Sequence, residues 1–211
     1  MKTLNSGKGV CEGSYSLLIK PVQSVVELGA AQDVTDGTLK AVHQKNRNGS
    51  SSDFIAVSFP SMHMGRSVML SGFRIELIGS KLALEELFFS EAIALLKRRN
   101  MLEQHSVSEV NYEPGEVCAA YIRDRSCEKH TEGWIRRSKA RALRRGKSYG
   151  KDVKLKADAT NVLFLKIGNS ALHIREIVGE YQGTPLIVNT YGFSTSQTPA
   201  FLPVMPLSAR A

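Results

Sequence analysis

The sequence predicts an α+β fold, and three observations carry that expectation. Apolar residues recur at helical spacing in two stretches of the N-terminal half, short branched and aromatic runs separate them, and from residue 159 onward short strand signals alternate with Gly and Asn turns. Tyr15 to Val22 reads as a first strand stopped near Pro21. A glycine-interrupted helix follows, with Leu39, Val42 and His43 on one face and His43 near its C-terminal end. After the polar loop 46–53, FIAVSFP is a buried strand ended by Pro60, and LSGFRIELI over 70–78 is another.

Residues 81–98 predict the clearest helix. Leu84, Leu87, Phe88, Ala92, Leu95 and Leu96 share a face, Ser80 is the cap, and Lys97, Arg98 and Arg99 suit its negative C-terminal end. VCAAYIRDRS, 117–126, then supplies a strand leading into a basic segment. Strand, helix, strand, strand, helix, strand is the ferredoxin-like βαββαβ order. The expected organisation is a ferredoxin-like domain over 1–115 and a smaller α/β region over 116–211 that carries an arginine-rich helix.

The charge is local. The whole chain of 211 residues carries a formal net charge of +8, yet residues 121–156 alone hold 13 basic side chains against four acidic ones, leaving −1 for the rest. Between Glu132 and Gly146, helical spacing aligns Arg137, Arg141, Arg144 and Arg145 in one stripe, with only a narrow apolar side at Ile135, Ala142 and Leu143. No acid occurs from Ile135 to Lys151, so like charges repel along the helix unless an anion compensates them. Arg outnumbers Lys there, and its planar fork suits phosphates and guanine edges. Nucleic acid is the expected partner; an acidic membrane and a plain solvated face are the competing readings.

Cys11, Cys118 and Cys127 form no CxxC pair, and no two of the five histidines stand at i, i+4 on a helix, so no metal site is expected. A reduced, cytoplasmic chain is expected, with neither an export signal nor a membrane span. Nor is there a phosphate-binding loop of GxxxxGK[ST] form.

Order along the chain adds a resemblance. LKAVHQ (39–44), IAVSFP (55–60), YIRDRS (121–126) feeding the arginine helix, LHIR (172–175) and YGFS (191–194) follow one another. In these pieces the chain resembles the CRISPR repeat-processing endoribonuclease of the type I-F system, and ARALRRG is similar to its transposon-associated members. Arg125 stands where that family has Gln, and the loop IGNSAL is shorter than the family's serine-bearing loop.

The resemblance implies RNA cleavage without metal or cofactor, by attack of the ribose 2′-hydroxyl on the neighbouring phosphate. It implies His43 as general base, Ser170 holding the 2′-hydroxyl, and Tyr191 lining the site. A neutral imidazole suits base chemistry near pH 7. Arg123 and Arg125 would read base edges at the foot of the stem, and Arg137, Arg141, Arg144 and Arg145 would hold the RNA hairpin. The product would stay bound, capping a crRNA-guided complex with other type I-F subunits. His173 in LHIR is the rival base. Two alternatives stay open: a non-catalytic subunit that only holds a hairpin, and a general basic RNA- or DNA-binding protein.

Overall fold

The computed structural model describes residues 7–124, 132–149, 162–167, 170–183 and 185–204. It is an α+β structure with five helices and three sheets among those residues. The first sheet has the order β3-β6-β2-β7, every neighbour antiparallel, built from β2 (Tyr15–Ile19), β3 (Ala56–Ser58), β6 (Ile75–Gly79) and β7 (Ser108–Glu109). Leu17, Ile19, Val57, Ile75 and Leu77 share one face through their register, and all are buried. That face alternates with Ser16, Leu18 and Glu76, as the two-residue period of a strand requires.

Helices come in two pairs. The first expected helix is split into α1 (Gln23–Glu27) and α2 (Ala31–Asn48) at Gly29, whose φ of 74° places it in the left-handed region. The N–H of Ala30 bonds to the Val25 carbonyl and that of Gly29 to Val26, the paired closure that glycine permits at a helix end. Gly37 makes no such break. The stripe around it, Val34, Thr38, Leu39, Ala41 and Val42, is buried, and packing of that stripe outweighs a cost of about 1 kcal/mol for an interior glycine.

The expected helix 81–98 is likewise two, α3 (Lys81–Phe88) and α4 (Glu91–Arg98). Ser80 caps α3 by accepting from the Ala83 N–H at 3.1 Å. Ser90 adopts an extended conformation and starts a new helix, so a continuous apolar pattern conceals a turn. The consequence for packing is that Leu95 is exposed, while Ile93 and Leu96 turn inward.

Two strand expectations also change. Residues 70–78 are not one strand: β5 (Met69–Leu70) ends at Gly72 and Phe73, both at positive φ, and β6 begins only at Ile75. Nor does 117–126 close the first sheet, where β7 takes that place. β8 (Val117–Arg123) instead pairs with β10 (Ser170–Glu180) over seven residues, in a sheet ordered β4-β5-β9-β10-β8 with β4 (His63–Met64) and β9 (Leu163–Ile167). Cys118 to Ile122 are buried without alternation, and the other edge of β8 takes bridges to Ser194 and Leu202. A strand covered on both sides belongs inside the fold rather than at an edge.

Stretches distant in sequence share these pairings. β1 (Lys8–Cys11) pairs with β11 (Leu186–Asn189), and β5 joins β9, so residues from 1–115 and 116–211 contribute to common sheets and to one buried cluster. The arginine-rich helix is α5 (Glu132–Arg144), inserted between β8 and β9.

Candidate active site and nucleic-acid interface

His43 stands in the last turns of α2, and its helix is pinned there by a neighbour. Asn46, three residues on and fully buried, donates from Nδ2 to the Ile55 carbonyl at 2.9 Å and accepts the Ile55 N–H on Oδ1 at 2.8 Å. A side-chain amide thus mimics a strand partner and ties α2 to the segment entering β3.

Tyr191 is held by an equally specific turn. Asn189 Oδ1 accepts the N–H groups of Tyr191 (2.8 Å) and Phe193 (3.3 Å), and Gly192 sits at φ 82°. Its carbonyl accepts the Val57 N–H at 3.0 Å. A Cβ on Gly192 would lie 2.6 Å from Val57 Cγ2 and 2.9 Å from the Ile55 oxygen, so the close approach excludes any side chain. Phe193 is fully buried and stacks on Phe59 with centroids 6.1 Å apart, while the Ser194 hydroxyl donates to the Tyr121 carbonyl. The tetrapeptides VSFP, starting at Val57, and YGFS, starting at Tyr191, therefore meet in space.

The product of this packing is a ring stack. The His43 and Tyr191 rings lie nearly parallel, 10° apart in plane, with centroids at 4.0 Å. They line a cleft of about 580 Å³ with Lys40, Gln44, Arg47, Asn48 and Ile167. Lys40 is engaged by Asp36 at 2.6 Å; Arg47 has no hydrogen bond or ion pair among the described residues.

Burial holds the His43 pKa below the ordinary histidine value, and the positive charge of Arg47 adds to that, whereas the Thr190 backbone opposes it. Nδ1 is buried without a hydrogen bond of good geometry among the described residues, which leaves Nε2 as the nitrogen a substrate can reach. A neutral imidazole can accept a proton near pH 7, and Lys40 and Arg47 in the same lining would attract an anion.

Ser170 enters through its backbone. As the first residue of β10 it is the register partner of Ile167, which lines the cleft. His173, the rival base, lies an odd number of residues farther along the strand and so on the opposite sheet face, with its ring edge-on to Phe164. The structure thus brings His43 and Tyr191 together, sets the Ser170 backbone across from Ile167 of the cleft lining, and leaves His173 on the other sheet face.

The arginines form a second region. No residue of α5 is buried: Arg137, Arg141, Arg144 and Arg145 are exposed, and so is Leu143 at 81%. The helix ends at Gly146, φ 62°, with the Lys147 N–H bonded to the Ala142 carbonyl. Arg123 is the last residue of β8; Arg125 lies outside the described residues. Asp124 is paired with Arg175 at 2.6 Å.

Sequence reasoning passed over Lys40, Gln44 and Arg47. Lys40 and Arg47 lie at i−3 and i+4 from His43, so the helical face that carries the histidine was the signal available for them; Gln44, the next residue, lies off that face. Among the described residues no cluster of three His, Cys, Asp or Glu side chains could hold a metal, and no described helix is long and apolar enough to cross a membrane. No protein-family model matches the chain, and no curated protein matches it.

Proposed function

We propose that the chain is an endoribonuclease that binds the stem-loop of a CRISPR repeat and cuts at the 3′ foot of the stem, as its resemblance to the type I-F repeat-processing family implies. His43 takes the proton from the 2′-hydroxyl, O2′ bonds to phosphorus, and the bond to O5′ breaks. The departing O5′ takes a proton from water, leaving a 2′,3′-cyclic phosphate and a 5′-hydroxyl. Tyr191 holds the imidazole plane. Ser170 positions the ribose, an orienting contribution of which a 1 Å error can cost on the order of a hundredfold.

In this reading Arg123 and Arg125 read the foot of the stem, Arg137, Arg141, Arg144 and Arg145 grip it, and the protein stays on its product as a subunit of a cytoplasmic crRNA-guided complex. The sheet order β3-β6-β2-β7, with helices between its first and second and its third and fourth strands in chain order, supports a ferredoxin-like arrangement for the N-terminal part.

The observation that carries the proposal is the His43–Tyr191 stack, built from two sequence motifs that the resemblance pairs with catalysis. The test is cleavage of a type I-F repeat hairpin in EDTA, with a 2′-deoxy substitution at the cleavage position as control. Wild-type chain should cut only the ribose substrate, and His43→Ala should abolish cutting while binding survives. Cleavage by His43→Ala would remove the base assignment, and a bound hairpin with no product from wild type would make the chain a non-catalytic hairpin-binding subunit.

A further inference from the structure

We infer that the outer face of β9 and β10, centred on Phe164 and His173, is a stacking platform for the unpaired nucleotides that flank the hairpin. This rests on the reading of the chain as an RNA hairpin-binding protein. β9 is the middle strand of a five-stranded sheet whose long pairings are antiparallel, a kind that commonly leaves one face to solvent. Leu163, Leu165 and Ile167 are buried on the inner face, and on the outer one stands a large ring, Phe164, 55% exposed. Its cross-strand partner is His173, whose ring meets it edge-on at 5.3 Å and 61°.

The surroundings favour a nucleic acid over a protein. Lys166 flanks Phe164 on the same face, and Arg175 flanks His173. The outer-face positions of β9 and β10 themselves carry no carboxylate, but Asp124 at the end of β8 pairs with Arg175 at 2.6 Å, which leaves Lys166 as the cation beside Phe164. Aromatic rings interleaved with cations accept the π-face of a base and the phosphates on either side of it, and do so for any sequence. A protein partner would instead be met by a contiguous apolar patch. Here the apolar side chains about Phe164 are few: Leu70, which the parallel pairing of Met69 with Leu163 sets alongside it, and Ala171 and Ile177 on the outer face of β10, with a histidine, a lysine and an arginine between them.

Connectivity puts this face at the root of the arginine-bearing segment. Arg123, where the chain leaves β8 towards α5, and Leu163, where it has returned from α5, are both register partners of Ile174. The two ends of the segment that carries the arginine helix therefore meet at Ile174, next in sequence to His173. Along β9, Phe164 is three residues from Ile167 in the cleft, roughly 10 Å. The two side chains lie on opposite faces of the sheet, so RNA running from the cleavage position to the platform turns round the end of the β9–β10 pair, where Ile167 and Ser170 stand.

The test uses a type I-F repeat hairpin made uncleavable by 2′-deoxy substitution, once with unpaired nucleotides on both sides and once trimmed to its stem-loop. Wild-type chain should bind the flanked RNA about 10-fold more tightly, the effect of a stacked base. Phe164→Ala should lose that preference with stem-loop affinity unchanged, Phe164→Tyr should keep it, and 2-aminopurine in the flank should be quenched by wild type but not by Phe164→Ala. Thermal unfolding of each variant checks folding, which an exposed side chain should leave unaltered. Equal wild-type affinity for the two RNAs overturns the platform. A preference that survives Phe164→Ala also overturns it, because the flank is then read elsewhere on the protein. Failure of wild type to bind either RNA removes the hairpin-binding reading itself, and the platform with it.

Discussion

The cleft around His43 and the helix α5 differ in how much of the fold stands behind them. Every interaction that sets the angle of Tyr191 on His43 is buried or made by the backbone: Asn46 on Ile55, Asn189 under the turn, Gly192 against β3, Phe193 in the core. α5 has no fully buried residue and carries its arginines exposed. On the proposed reading the difference is expected: base chemistry needs close placement and draws on the core, whereas gripping a polyanion needs density of charge and draws on the surface. One region should consequently be fragile in stability and the other robust.

Phe193→Ala is the largest test of that contrast. Deleting a fully buried ring should cost about 3–5 kcal/mol in denaturant unfolding and release the Tyr191 turn. A cost below about 1 kcal/mol would deny that the stack is anchored in the core. Gly192→Ala follows, at about 2–4 kcal/mol, from left-handed backbone strain plus the overlap with Val57. It should also shift the His43 ring resonances, since Tyr191 shields that ring face.

A third measurement is protonation. Because the folded pKa of His43 lies below its ordinary value of 6.5, the unfolded chain takes the proton first as pH falls. Its contribution to stability is complete above about pH 6.5 and declines below it. Cleavage should follow the same sense, with a rate that falls only below pH 6.5 and a limb that vanishes in a His43→Gln background. Arg47→Ala should move the His43 NMR titration upward, because a repelling charge is removed.

The smallest stability effect belongs to α5. Arg137→Ala, Arg141→Ala, Arg144→Ala and Arg145→Ala should each change unfolding free energy by no more than about 0.5 kcal/mol. Together they should flatten the dependence of hairpin affinity on salt, by roughly 0.7–0.9 in log–log slope for each phosphate left without its arginine. A large drop in stability on those substitutions would mean that the helix is a structural element after all.

Local pattern determined what local pattern can. The α+β class, the Ser80 cap, the buried stripe of α2 that presents His43, and an arginine helix with almost no apolar face are all written in spacings of three and four residues or of two. The breaks were less legible, since Gly29 and Gly37 look alike in sequence and only one of them turns the chain. Packing decides: the stripe about Gly37 is buried and keeps the helix, while Gly29 falls where two helix axes must part. Ser90 hides a break for the same reason, and β8 looks like a last strand of the first sheet until its seven pairs with β10 are known. Which strand pairs with which, and that Tyr191 lies on His43 from 148 positions away, were decided by tertiary structure alone. A ring stack between distant residues depends on the register of sheets that bring them together, and register is a property of the assembled core rather than of any one segment.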